Sequence, residues 1–268
     1  MVQLQYGRNC KSLRQTVEGR TKHERNGDCM ADLSMIEVRG VKKNYRVGTV
    51  DIEALRGVDL TIEAGELCCI IGRSGSGKST LLNVLAGLET VTDGQIVIAN
   101  QHLEKMNQSE LILFRQKHVG FIFQSFNLMP YYTALENVAF PLSFRGVPKY
   151  KRDVLAKRML TAVGLDTHLN HKPAQMSGGQ QQRVGIARAL VTNPDIVFAD
   201  EPTGNLDSNT STEVMDAIVA IMREHKKTLV MVTHDPNMAA YGDKVVNILD
   251  GRITDITTKN GSHTEENL

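Results

Sequence analysis

The sequence predicts an α/β fold with an antiparallel β subdomain on its N-terminal side and an inserted helical subdomain, and three observations carry that prediction. Short, solidly apolar runs recur at Leu67–Ile71, Val119–Phe123, Ile196–Ala199 and Thr228–Val232, separated by helix-length segments, as expected of parallel strands covered on both faces. Ahead of them, the chain from Met35 to Ile71 is strand-like and broken by turn residues at Val47-Gly48 and Glu63-Ala64-Gly65-Glu66, which reads as an antiparallel layer. Between the second and third runs lies a polar, helix-rich stretch, about 127–172, read as the inserted helical subdomain.

Each element has its own signal. Pro148 opens and Gly164 closes a helix in the insertion that sets Val154, Leu155, Arg158, Met159 and Ala162 along one face. Two strand-like runs within Lys244–Ile256 flank Asp250-Gly251, a hairpin signal. These readings bound a domain at 35–256, preceded by an extension over 1–34 and followed by a polar tail over 257–268. Residues 1–30 carry six Arg or Lys against three Asp or Glu and no sustained apolar periodicity. They read as a disordered basic extension, with a membrane-surface helix as the alternative. Met30 and Met35 are alternative starts.

Composition excludes several classes. With 31 Lys+Arg against 30 Asp+Glu the net charge is +1, which gives no footprint for wrapping nucleic acid. No apolar run approaches the roughly 18 residues needed to cross a bilayer, and the first thirty residues lack the apolar core of a secretory signal. Of the cysteines at 10, 29, 68 and 69, the adjacent pair sits in an apolar run and reads as buried thiols, which implies a reducing, cytoplasmic setting.

The chemistry begins at Gly72-Arg73-Ser74-Gly75-Ser76-Gly77-Lys78-Ser79, directly after an apolar strand and before a helical run from Leu81 to Ala86. This is the context a phosphate-binding loop requires: glycines let successive N–H groups face phosphate oxygens, the helix presents its positive end, Lys78 adds a charge and Ser79 offers a hydroxyl to Mg²⁺. A second apolar strand delivers Asp200 and Glu201 at its C-terminal end, where ligands of open parallel sheets bind. Asp200 suits the Mg²⁺ shell, and Glu201 is positioned to polarise the water attacking a γ-phosphate. Gln124 and His234 likewise end buried strands. A third element, Ser177-Gly178-Gly179-Gln180, is a capping box opening a helix, with N–H groups bare at its positive end. That second anion site suits a triphosphate held by another copy of the chain.

The Ser177–Gln180 run resembles the signature motif of the ATP-binding cassette (ABC) ATPases, and the resemblance extends over roughly residues 35–256. It implies a P-loop ATPase with ATP and Mg²⁺ as ligands and an integral membrane permease as partner. Tyr45 would stack on adenine, Gly72 through Thr80 would wrap the phosphates, Gln124 would contact Mg²⁺ and sense the membrane partner, and Asp200 would support the metal. Glu201 is then the catalytic base and His234 the γ-phosphate switch. Ser177 and Gly179 would contact the γ-phosphate of the opposing protomer, with Asp207 across the dimer seam. Because one chain holds both cradle and signature, a homodimer is sufficient for two sites.

The run from Ala199 to Ser208 looks most like the lipoprotein-release, macrolide-export and cell-division subfamily. That implies a separate ATPase chain on the cytoplasmic face of the plasma membrane, held there by a four-helix permease and driving export or extrusion. The alternative is a complex that drives an extracytoplasmic enzyme or sensor without transport. The extension before Met35 departs from the pattern. A DNA-repair ABC ATPase would need a long coiled coil, for which the 105 residues from Gly72 to Ser177 leave no room; a translation factor would carry two cassettes; a GTPase would need an Asn-Lys-x-Asp run, which is absent. Past Gln124, Phe126 and Leu128 are candidates to pack on the helical insertion, while Met129, Tyr131 and Tyr132 suit a groove for a permease helix.

Overall fold

The computed structural model describes residues 34–259. Strands β1 (Ser34–Val47) and β2 (Val50–Glu63) pair antiparallel with Ile36 opposite Ile62 and Val38 opposite Leu60, all four buried. The alternation that buries one face of each strand fixes this register, since a one-residue slip would turn every apolar side chain to solvent. Strands β4 (Asp93–Ile98) and β5 (Gln101–His102) extend the layer, giving a four-stranded sheet in the order β2-β1-β4-β5.

Strands β3 (Leu67–Ile71), β6 (Val119–Ile122), β7 (Ile196–Asp200), β8 (Thr228–Thr233), β9 (Lys244–Leu249) and β10 (Arg252–Thr258) form the second sheet, in the order β10-β9-β3-β8-β7-β6. All its neighbours are parallel except β10, which returns antiparallel along β9. Successive residues of these strands enter different cores. Cys68, Ile70, Ile196 and Phe198 face a core shared with the antiparallel layer and helix α1 (Lys78–Leu85). Leu67, Cys69, Val197 and Ala199 face the opposite core, built with helices α3 (Ala134–Phe144), α5 (Gly178–Leu190) and α6 (Ser208–Glu224). Burial on both faces is why these strands are continuously apolar; a side chain such as Phe198 contributes about 1.5–3 kcal/mol by its burial. Cys68 and Cys69 are buried and unbridged, and burial pushes the Cys69 thiol up to about 12.

The remaining helices are α2 (Gln108–His118), α4 (Lys149–Ala162) and the short α7 (Pro236–Ala239). In α4 the face named from the sequence is largely the outer one: Val154 is 51% exposed and Leu155 38%. Arg158 and Ala162 are exposed with them, and of that set Met159 alone packs against the core. The buried stripe is Ala156, Leu160 and Val163, because small and branched side chains at i, i+4 and i+7 let α4 approach α3 and α5 closely. Among the described residues no helix is long and apolar enough to cross a membrane. The basic extension, most of the polar tail, Cys10 and Cys29 lie outside the described residues.

Candidate active site

Strand β3 ends at Ile71 and the chain turns through Gly72–Gly77 into α1. Gly77 caps that helix at φ +100, and a Cβ there would stand 2.7 Å from the Ala54 carbonyl oxygen. The loop is pinned from the far end of the chain as well. The Gly251 N–H donates to the Ser76 carbonyl at 3.0 Å, and the Gly251 carbonyl accepts from the Arg56 N–H at 2.9 Å. Lys78 is only 7% exposed; its ammonium donates to the Gly72 and Arg73 carbonyls at 2.9 Å each, which sets its charge at the rim of the loop.

Loop and turn border a cavity of about 780 Å³. Ser74, Gly75, Gly77, Lys78, Ser79 and Thr80 line it together with Glu201 and His234. Sequence reasoning missed Ile52, Glu53, Ala54, Arg56, Asp250 and Gly251, which complete the wall. Asp250-Gly251 signalled only a hairpin, and nothing local to it points at a loop 175 residues earlier.

Ser79 Oγ donates to Asp200 Oδ1 at 3.2 Å. Burial pushes the Asp200 carboxyl above its ordinary range and the Glu201 charge adds to that, against the Ser79 hydrogen bond and the Lys78 charge. A hydroxyl and one carboxylate are hard oxygen donors, a set that fits Mg²⁺ shared with substrate phosphates rather than a closed protein cage. Glu201 follows at φ +42, its N–H donating to the Val232 carbonyl at 3.0 Å and its Oε1 standing 3.1 Å from His234 Nδ1. A bulky residue held in the left-handed region is strained, so the surroundings fix this backbone. A Cβ on Gly204 would meet Gln124 Nε2 at 2.8 Å and Glu201 Oε2 at 3.2 Å, so the amide and the carboxylate converge over that glycine.

The signature segment stands apart from the cavity. Ser177 Oγ accepts from the Gln180 N–H and Gln180 Oε1 accepts from the Ser177 N–H, the capping box that the sequence indicates at the start of α5. Gly178 and Gly179 back onto Leu206 and Thr210; a Cβ on Gly179 would stand 2.5 Å from Thr210 Cγ2. Asp207 caps α6, accepting from the Thr210 N–H and hydroxyl, and these bonds hold its carboxyl below the usual range. Tyr45 does not line the cavity: its hydroxyl donates to Glu89, its ring lies 5.1 Å from the Lys43 ammonium, and its partner across the β1–β2 ladder is the cavity residue Ile52.

Arg188 on α5 is a further residue that sequence reasoning missed. Its guanidinium donates to the Asn127 and Phe126 carbonyls at 2.5 and 2.7 Å, gripping the loop after Gln124 where both residues adopt positive φ. Beside it a groove of about 470 Å³ runs between β6 and α3, lined by Phe121, Phe123, Pro141 and Phe144. Met129, Tyr131 and Tyr132 do not line that groove, although the Tyr132 ring joins an edge-to-face series through Phe140 to Phe144.

A phosphate loop, an Asp-Glu pair ending a parallel strand and a second glycine-rich helix cap define the class as a P-loop nucleoside triphosphatase. Comparison with known proteins narrows the class. The family described as "ABC transporter" matches residues 55–204. An uncharacterized ABC transporter ATP-binding protein of Thermotoga maritima is 47% identical over 222 residues, covering 83% of this chain and 94% of that protein. YbbA of Escherichia coli K12, another ABC transporter ATP-binding protein, is 44% identical over 82% of this chain and 96% of its own length. The macrolide export ATP-binding/permease protein MacB of Rhodopirellula baltica is 44% identical over 82% of this chain, which spans only 33% of that relative. Among solved structures, the ATP-binding cassette MJ0796, a dimer in a post-hydrolysis state bound to ADP and Pi, superimposes with a TM-score of 0.79 at 42% identity. The match covers 85% of this chain and all of that one. The chain belongs to the ABC transporter family and is an ATP-binding cassette with ATPase activity.

Proposed function

We propose that this chain is the ATP-hydrolysing subunit of a membrane export complex, working as a head-to-tail homodimer in which two cradles are each closed by the signature of the other copy. The observation that carries this reading is the division of the site. The cavity around Lys78 contains Glu201 and His234 but no residue of 177–179, while the capped helix start at Ser177 lies outside it, backed by Leu206 and Thr210. In the proposed complex the Gly72–Thr80 loop holds the triphosphate, and Tyr45 stacks against the base at the cavity edge. Ser79 and Asp200, with Gln124, would hold Mg²⁺, which when bound offsets charge on the β- and γ-phosphates.

Glu201 Oε2 accepts the proton of the attacking water, and His234, within hydrogen-bond reach of Oε1, orients that carboxylate and contacts the γ-phosphate. The partner's Ser177 hydroxyl and Gly179 N–H would supply donors to the same phosphate, with Asp207 at the seam between the copies. Release of that phosphate frees Gln124, and the loop it leads, gripped by Arg188, carries the change to the groove at Phe121 and Phe144. A cytoplasmic helix of a separate permease fits there, and export is favoured by the kinship with macrolide-export proteins. Through this partner the chain would sit at the cytoplasmic face of the plasma membrane.

Glu201→Gln keeps size and hydrogen bonding but removes the base, so hydrolysis should fall by about 10² or more while ATP binding persists. Light-scattering mass measurement of this variant should then give a dimer with ATP and a monomer without it. A monomer with ATP bound overturns the composite site.

A further inference from the structure

The signature cap is not self-contained. Gln180, whose side-chain oxygen accepts from the Ser177 N–H at 2.9 Å, turns its amide nitrogen to His168 Nε2 at 3.1 Å. Because the oxygen is committed to an N–H donor, the amide orientation is fixed, and the group facing His168 is an NH₂ that can only donate. His168 Nε2 must therefore accept, which requires the neutral ring with its proton on Nδ1, 3.0 Å from Thr167 Oγ1. The loop bearing His168 is itself anchored: the His171 carbonyl accepts from the Ala134 N–H at 2.8 Å and the Leu169 carbonyl from the Leu135 N–H at 3.0 Å, both at the start of α3.

The geometry points to His168 as a positioning residue of the composite site: as a neutral acceptor it holds Gln180, and through Gln180 the cap that aims Ser177 and the Gly179 N–H at a triphosphate on another copy. This rests on the split-site reading above. A protonated His168 presents Nε2–H to the Gln180 NH₂, two donors face to face, and the cap loses its outer support. The titratable neighbour against His168 is His171, with ring centroids 4.9 Å apart and Nδ1 buried without a hydrogen-bond partner. From α5 comes the uncharged Gln180; Arg183, further along that helix, is turned to Glu213 and the Val163 carbonyl. From α3, Glu136 is committed to its own cap at Thr133.

The test uses the full chain carrying Glu201→Gln, alone and with His168→Ala or His168→Gln, and reads two quantities. One is the ATP-driven monomer–dimer constant by analytical ultracentrifugation at about pH 8. The other is hydrogen exchange of the Ser177 and Gln180 amides, measured without nucleotide. His168→Ala should weaken association about tenfold and speed exchange of both amides by a similar factor, the loss of roughly one hydrogen bond per cap. Binding of a fluorescent ATP analogue to the monomer should stay unchanged. His168→Gln, whose carbonyl can accept the same bond, should restore both quantities. Association and exchange unaltered by His168→Ala, or an equal loss in His168→Gln, overturns the inference. If the parent variant fails to associate with ATP, the split-site reading falls, and the exchange comparison still decides the role of His168.

Discussion

Gly251→Ala tests whether the β9–β10 turn holds the phosphate loop in place. Gly251 has φ +78, and a Cβ there would stand 2.6 Å from the Ala54 carbonyl oxygen, 3.1 Å from its carbonyl carbon and 3.2 Å from Leu55 Cα. All three are backbone atoms, so relief requires β2 or the turn to move, at about 1–3 kcal/mol. An L-residue in the left-handed region adds about 1–2 kcal/mol. Movement also strains the bonds from the Gly251 N–H to Ser76 and from the Arg56 N–H to Gly251. Against this, alanine restricts the unfolded chain and returns about 0.4–1 kcal/mol, so the net loss is about 2–4 kcal/mol. Gly48→Ala is the control, because Gly48 has φ +62 with nothing within 4 Å of its Cβ and carries only the backbone cost, about 1 kcal/mol or less after the same offset. For a domain of this size thermal unfolding should fall by about 4–16 °C in Gly251→Ala and by about 2–4 °C or less in Gly48→Ala. Affinity for a fluorescent ATP analogue should drop only in Gly251→Ala. Equal shifts in the two variants, or unaltered ATP affinity in Gly251→Ala, would refute the reasoning.

Asp200→Asn should raise the thermal midpoint at neutral pH. The raised carboxyl favours the protonated folded state, so Asp200 contributes stability below its unfolded value of 3.8 that is lost as pH rises through the higher folded value. Calorimetry should show the gain vanish as pH falls below that window, and Mg²⁺-dependent ATP binding should weaken throughout. Arg188→Ala strands the Phe126 and Asn127 carbonyls and should cost about 2–4 kcal/mol in urea unfolding, with Arg188→Lys recovering part of it. Phe144→Ala, which truncates a ring 62% exposed at the groove, should leave isolated hydrolysis near normal while co-purification with the permease falls several-fold.

What the sequence made legible is local. The phosphate loop, the Asp-Glu strand end and the Ser177 cap each declare their chemistry within about ten residues, and each lies in the strand–loop–helix context that gives those residue types meaning. The buried strands were legible because burial on both faces leaves no polar position to confuse the period. The unread parts depend on partners far apart in the chain: Gly251 on Ser76, Arg188 on Phe126, Gln180 on His168. In α4 two apolar stripes compete, and nothing local says which one meets α3 and α5; the narrower stripe through Ala156 is buried because it permits closer approach. Strand β4 escaped notice because only Ile96 and Ile98 are buried in it, an alternation too short to separate from a loop.

Head-to-tail closure around ATP is the central claim, and a cross-link tests it most directly. In the Glu201→Gln chain with Cys10 and Cys29 replaced by serine, Ser74→Cys marks the cradle and Ser177→Cys marks the signature, while Cys68 and Cys69 are buried. A mixture of the two chains, each with one added cysteine beside the buried Cys68 and Cys69, treated with a short bismaleimide, should give a covalent Ser74→Cys–Ser177→Cys dimer with Mg-ATP and little without it, and neither chain alone should give that product. A mixture that binds ATP yet forms no such link, or forms it equally without nucleotide, would contradict the account.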